Sequence, residues 1–217
     1  MRILAESDRV TAVALTPDGL QAVSASNDHA LRVWDLENGQ LLKTLKGHFG
    51  VVSDVAVTSD GRRAVSASLD GNIKVWDLER GTVLKTIGGH LSEVEAVALT
   101  PDGRRAISAS LDGTLKVWDL EDGEVIRILE GHSDGVGAVA VTSDGRRAIS
   151  ASLDGTLKVW DLETGNIIAG FTGESGISRC AVANDGETII AGESSGRMHF
   201  LRLEGAFRSE GAAIAEK

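Results

Sequence analysis

Short apolar runs separated by polar turns fill most of the chain. After His48, Val51 to Thr58 is mostly apolar and ends at Ser59-Asp60-Gly61. Arg63 to Ser68 follows, then Leu69-Asp70-Gly71, Ile73 to Leu78, Glu79-Arg80-Gly81 and Thr82 to Ile87. Each run has strand length, and each break carries a Gly that tolerates the positive φ of a tight turn. No stretch keeps a 3.6-residue apolar spacing long enough for a helix. Runs such as AVAVT and AVALT are apolar at successive positions, so sheets built from them must be covered on both faces.

The same pattern recurs at a fixed step. Trp34, Trp76, Trp118 and Trp160 are 42 residues apart, and each is followed by Asp (Asp35, Asp77, Asp119, Asp161). Gly47-His48, Gly89-His90 and Gly131-His132 keep that step, and the stretch from Asp102 to Glu121 recurs letter for letter from Asp144 to Glu163. A fifth, degenerate unit aligns through Gly173, Asp185-Gly186 and Gly196. Such a period marks stacked supersecondary units, each too small to bury its own apolar faces.

Gly-His, a Ser-rich strand, Asp-Gly and Trp-Asp at this step resemble the WD-repeat family of β-propellers. The resemblance implies an all-β propeller with four antiparallel strands per blade, and the count of units makes it five-bladed over residues 1–204, where the family's commonest ring has seven blades. The fifth unit ends at its third strand, about His199 to Leu203, while Arg2-Ile3-Leu4 repeats the Arg127-Ile128-Leu129 of a fourth strand. We therefore expect the N-terminal strand to complete the last blade and remove its open edge, as the family does. The same pairing between chains would give a strand-swapped oligomer; a monomer is the first expectation. Residues 205–217 read as a frayed tail.

The composition narrows the function. The formal net charge is −10, which opposes a nucleic-acid or anionic-membrane surface. Cys180 is the sole cysteine, so neither a disulfide framework nor a Cys-based zinc site is expected. The first residues turn acidic before an apolar leader could form, and no segment has the length of an apolar membrane span. These features point to a cytoplasmic chain without cofactor or metal.

The repeated Ser, His and Asp invite a hydrolase reading. By resemblance they form instead a structural hydrogen-bonded chain in each blade: His48, Ser66, Asp70 and Trp76; His90, Ser108, Asp112 and Trp118; His132, Ser150, Asp154 and Trp160. Ser68, Ser110 and Ser152 share the strand parity, which leaves the choice of Ser open. The end blades depart from the set, with Glu6 near the first His position and Glu174, Ala191, Ser195 and Leu201 in the fifth unit. Arg62-Arg63, Arg104-Arg105 and Arg146-Arg147 read as a charged rim facing Glu79, Glu121 and Glu163.

Where copies are alike, the positions that differ carry the information. The loops leading into the first strands, with the residue before each turn Asp, lie in this family on the usual docking face. That face would hold Arg9, Asn27, Phe49, Ser53, Leu69, Leu91, Glu93, Glu95, Leu111 and Leu153. Leu in a tight turn is unlike a solvated turn, so Leu69, Leu111 and Leu153 either form an exposed apolar patch or tuck against the neighbouring blade. The resulting expectation is a non-enzymatic protein–protein interaction scaffold. Near-identical copies also resemble recently amplified bacterial propeller arrays, which implies a C-terminal sensor propeller split from a larger signalling ATPase as an alternative. A small-ligand or carbohydrate-binding propeller is disfavoured by the scarcity of aromatic residues.

Overall fold

The computed structural model describes residues 8–204 and 213–216, with side chains described for 8–204. Five four-stranded antiparallel sheets follow one another along the chain. The first contains β1 (Val10–Leu15), β2 (Gln21–Ser26), β3 (Ala30–Asp35) and β4 (Gln40–Lys46). The second contains β5 (Val52–Val57), β6 (Arg63–Ser68), β7 (Asn72–Asp77) and β8 (Thr82–Gly88). The third is built from β9 (Val94–Leu99), β10 (Arg105–Ser110), β11 (Leu115–Asp119) and β12 (Val125–Leu129). The fourth holds β13 (Val136–Val141), β14 (Arg147–Ser152), β15 (Thr156–Asp161) and β16 (Ile167–Thr172). The fifth holds β17 (Ile177–Val182), β18 (Thr188–Glu193), β19 (Met198–Glu204) and β20 (Ala213–Glu216).

The turns are chemically specified. In the first turn of the second sheet the Thr58 hydroxyl donates to Asp60 Oδ1 at 2.6 Å, and that oxygen also accepts the Arg62 N–H at 3.0 Å. Thr16 and Asp18, Thr100 and Asp102, and Thr142 and Asp144 repeat the hydroxyl–carboxylate bond. Gly61 follows at φ 68°, a conformation an L side chain adopts at a cost. At the start of each sheet's first strand the register slips by one residue, as between Val52 and Asp54. This bulge turns the extra residue towards the next sheet. Thus the Thr11 hydroxyl donates to the Val52 carbonyl, and the Ser53 hydroxyl to that of Val94.

The sheets stack face against face, and every interface repeats one scheme. A trailing face (Val23, Ala25, Leu31, Val33 and Leu45 in the first sheet) packs on the Trp-bearing leading face of the next (Val52, Val55, Ala64, Trp76 and Leu78). The same positions meet between sheets two and three, three and four, and four and five. The middle sheets are thus covered on both faces, as their unbroken apolar runs demand.

The two ends differ from the expected closed ring. On the first sheet the leading-face residues Val10, Val13, Leu15 and Leu36 are exposed, and on the fifth the trailing-face Met198 and Phe200 are exposed. The fourth place in the last sheet is also not filled by the N-terminal strand. β20 takes it, pairing Leu203 with Ile214 and Arg202 with Ala215. A strand close in sequence reaches this edge with less loss of chain entropy than one from the far terminus. The expected closing strand, residues 2–4, lies outside the described residues, as do Glu6 and residues 205–212 and 217. The segment expected to fray therefore contributes a strand at Ala213–Glu216.

Candidate functional site

Within the second sheet, β6, β7 and the flanking loops bring four polar side chains together. The Trp76 indole N–H donates to Ser66 Oγ at 2.8 Å, the Ser66 hydroxyl to His48 Nε2 at 2.7 Å, and His48 Nδ1–H to Asp70 Oδ2 at 2.8 Å. The direction is forced, because indole only donates and carboxylate only accepts. Asp70 Oδ2 also accepts the Phe49 N–H at 3.0 Å, which ties the loop before β5 to the turn after β6. Sheets three and four repeat the chain through Trp118, Ser108, His90 and Asp112, and through Trp160, Ser150, His132 and Asp154. Ser68, Ser110 and Ser152 serve the turn instead, each accepting the N–H of the turn Asp at 3.1 Å.

Burial lowers the pKa of His48, His90 and His132 below the ordinary imidazole value, against the upward pull of the Asp partners. The neutral ring is the form the chain of bonds requires. Burial raises Asp112 and Asp154, but hydrogen bonds from Thr114 or Thr156, a loop N–H and the imidazole outweigh it and hold both carboxyls far below the usual range. Ser, His and Asp are linked as in a nucleophilic triad, yet Ser66, Ser108 and Ser150 have no exposed surface and each already accepts an indole N–H. A substrate carbonyl has no route to them. The arrangement fixes loops in place.

The end sheets fix theirs by other means. In the first, Ser24 still accepts the Trp34 indole N–H at 2.8 Å, while Arg32 pairs with Asp28 and holds its carboxyl at about 2. In the fifth, Glu193 gathers the Ser195 hydroxyl at 2.7 Å, the Glu174 N–H at 2.9 Å, the Ser175 hydroxyl at 3.1 Å and His199 Nε2 at 3.0 Å. Those donors, Ser195 foremost, hold the buried Glu193 carboxyl at about 2. Sequence reasoning placed Ser195 but missed Glu193 and His199. The signal was a carboxylate where the other units carry Ser152 and its equivalents.

The loops thus held form one face. Leu91 is 94% exposed and Phe49 88% exposed. Leu69, Leu111 and Leu153 are exposed by 38 to 47%. The patch and the tuck coexist, because Leu111 reaches the Gly135 backbone of the next sheet while its remainder faces outward. Leu69, Leu91, Asp70, Gly71, His90, Ser92 and Glu93 line a shallow hollow of about 330 Å³ between sheets two and three. Arg9 is exposed and Asn27 half-buried at the same end of the first sheet. Ser53 and Glu95 are bulge residues: Ser53 is spent on the Val94 carbonyl, and Glu95 is half-buried with its carboxyl raised by burial, against the pull of Arg179. Glu93 accepts the Ser92 hydroxyl, which lowers its carboxyl. A larger hollow of about 530 Å³ lies on the rim, among Arg63, Arg104, Asp60, Asp102, Asp119 and Glu121. Its mixed charges leave no field of one sign for an anion.

Four stretches, residues 2–35, 39–77, 81–119 and 123–161, match the family model described as WD domain, G-beta repeat. The chain belongs to the WD-repeat family. Two curated WD-repeat relatives share short stretches with it. A "Lissencephaly-1 homolog" from Monosiga brevicollis is 42% identical over 45 residues, 21% of this chain and 11% of the relative. A "Nuclear distribution protein nudF" from Aspergillus niger is 47% identical over 47 residues, 22% of this chain and again 11% of the relative. The chain thus spans about a tenth of the length of the relatives it matches. The family match ends at residue 161, and the fifth sheet beyond it repeats the four-stranded antiparallel topology without a match to the motif. Among the described residues no three His, Cys, Asp or Glu side chains converge as a metal set, and no helix is long and apolar enough to cross a membrane.

Proposed function

We propose that this WD-repeat chain is a non-enzymatic scaffold that captures a protein partner on the face carrying Phe49, Leu69, Leu91, Leu111 and Leu153. The observation that supports it is the exposure of Phe49 and Leu91 at loop tips whose backbone is anchored to a buried Asp–His pair. Exposed apolar side chains on rigid loops lose little entropy on binding, and a contiguous apolar patch with a polar surround is the usual mark of a protein interface. WD repeats generally mediate protein–protein contacts, which agrees with this reading. The inaccessibility of the three network serines argues against the hydrolase alternative.

The test is affinity capture by the wild-type chain and by a variant carrying Leu69→Ser, Leu111→Ser and Leu153→Ser, with folding checked by circular dichroism. The reading predicts a partner retained by the first and lost from the folded variant. Equal retention by both removes this face from consideration.

A further inference from the structure

The two exposed end faces match each other. The leading face of the first sheet leaves Val10, Val13, Leu15 and Leu36 exposed beside the buried Ala22 and Trp34, position for position the set Val52, Val55, Val57, Leu78, Ala64 and Trp76 of the second. Yet Val13 is 59% exposed where Val55 is 5% exposed. On the trailing face of the fifth sheet, Phe200 is 50% exposed and Met198 61%, where Val159 and Leu157 of the fourth sheet have no exposed surface. Inside the chain, every trailing face is docked on the leading face that follows it. Among the described residues, the fifth sheet thus exposes one half of that interface and the first sheet the other.

We propose that a second copy of this chain docks its leading end face on the trailing end face of the first, continuing the stack head to tail. The four internal interfaces show that the equivalent pairs of faces are complementary in shape and chemistry, and the intermolecular contact continues their scheme. Met198 matches the volume of the Leu157 it replaces and Phe200 is bulkier than Val159, while Gly192 stands for Ala151 and makes room beside them. The bulge hydroxyls extend the pattern. Thr11 and Ser53 each donate to the first strand of the following sheet, and Ser178 occupies the same bulge in the fifth sheet. Its hydroxyl has only a long 3.5 Å bond to the Gly192 carbonyl. In the stacked pair it is placed to donate to the Val10 carbonyl of the second copy. Because the two faces differ, the contact is heterologous and propagates until a ring closes. It does not involve the Leu-bearing loop face, and its failure would leave the proposed function untouched.

Light scattering of the full chain over a concentration series tests this, together with Val13→Asp and Phe200→Asp, whose folding is checked by circular dichroism. The wild type is expected to pass from the 22.7 kDa chain mass to multiples of it as concentration rises. Each variant alone loses one face and should stay at the chain mass. Mixed, they retain one good face each and should give a capped 1:1 dimer and nothing larger, a result no misfolded variant can produce. A wild type that stays at 22.7 kDa throughout overturns the proposal, as do oligomers that survive both substitutions, the outcome of strand exchange, or variants that stay monomeric when mixed.

Discussion

At the residue scale, the His of each middle sheet sets how the chain responds to acid. A protonated His48 would turn Nε2 into a donor, leaving Ser66 with two donors facing it and no acceptor for its own hydrogen. Burial, against the upward pull of the Asp partners, keeps the folded imidazoles below 6.5. Below that value the unfolded chain binds more protons than the folded one, so stability falls as the pH falls. Asp70, Asp112 and Asp154 lie below the ordinary 3.8 in the folded chain and add a second loss at still lower pH. The thermal midpoint should therefore drop between roughly pH 7 and pH 5, and a His90→Gln variant should show a shallower slope over the same interval. A wild-type midpoint that does not move there contradicts the neutral-imidazole account. These network residues were legible because the unit repeats: a Ser, His and Asp that recur at one step cannot each be a unique catalytic centre. Glu193 and His199 were not legible, since a Glu in a strand reads as solvated until Ser175, Ser195 and His199 are seen to surround it.

At the element scale, strand limits follow the sequence to within a residue, as β5 at Val52–Val57 and β6 at Arg63–Ser68 show. The reason is local. Asp-Gly turns, with a Thr hydroxyl bonded to the Asp, stop the strands at chemically defined points. One turn departs from its copies: His29 holds φ 68° where Gly71, Gly113 and Gly155 hold 79° to 82°. A side chain in the left-handed region costs energy that Gly avoids, partly offset by Gly's greater freedom when unfolded. His29→Gly should raise stability by about 0.5–1 kcal/mol, and His29→Ala should not, as read by chemical denaturation. β20 was the element the sequence concealed. Ala213–Glu216 is short and carries no turn signal, and what recruits it is the unpaired edge of β19, which exists only in the folded sheet.

At the scale of the whole molecule, one repeated face pair builds the stack, and the loop face that runs along sheets two to four carries the proposed function. The fold class was legible because a 42-residue period leaves little freedom of architecture. The state of the end faces was not, because sequence similarity between copies says nothing about whether the first and last copies meet. The positions of the proposed docking face come from the sequence, but which of them stay available needed the structure: Ser53 is spent within the fold, whereas Phe49 and Leu91 stand clear of it. Hydrogen exchange of the chain alone and bound to its captured partner asks most directly where the partner lands. The account predicts new protection at residues 48–54, 69–71, 90–95, 111–113 and 153–155. New protection confined to the Arg-bearing rim, at residues 60–63, 102–105 and 144–147, would contradict it.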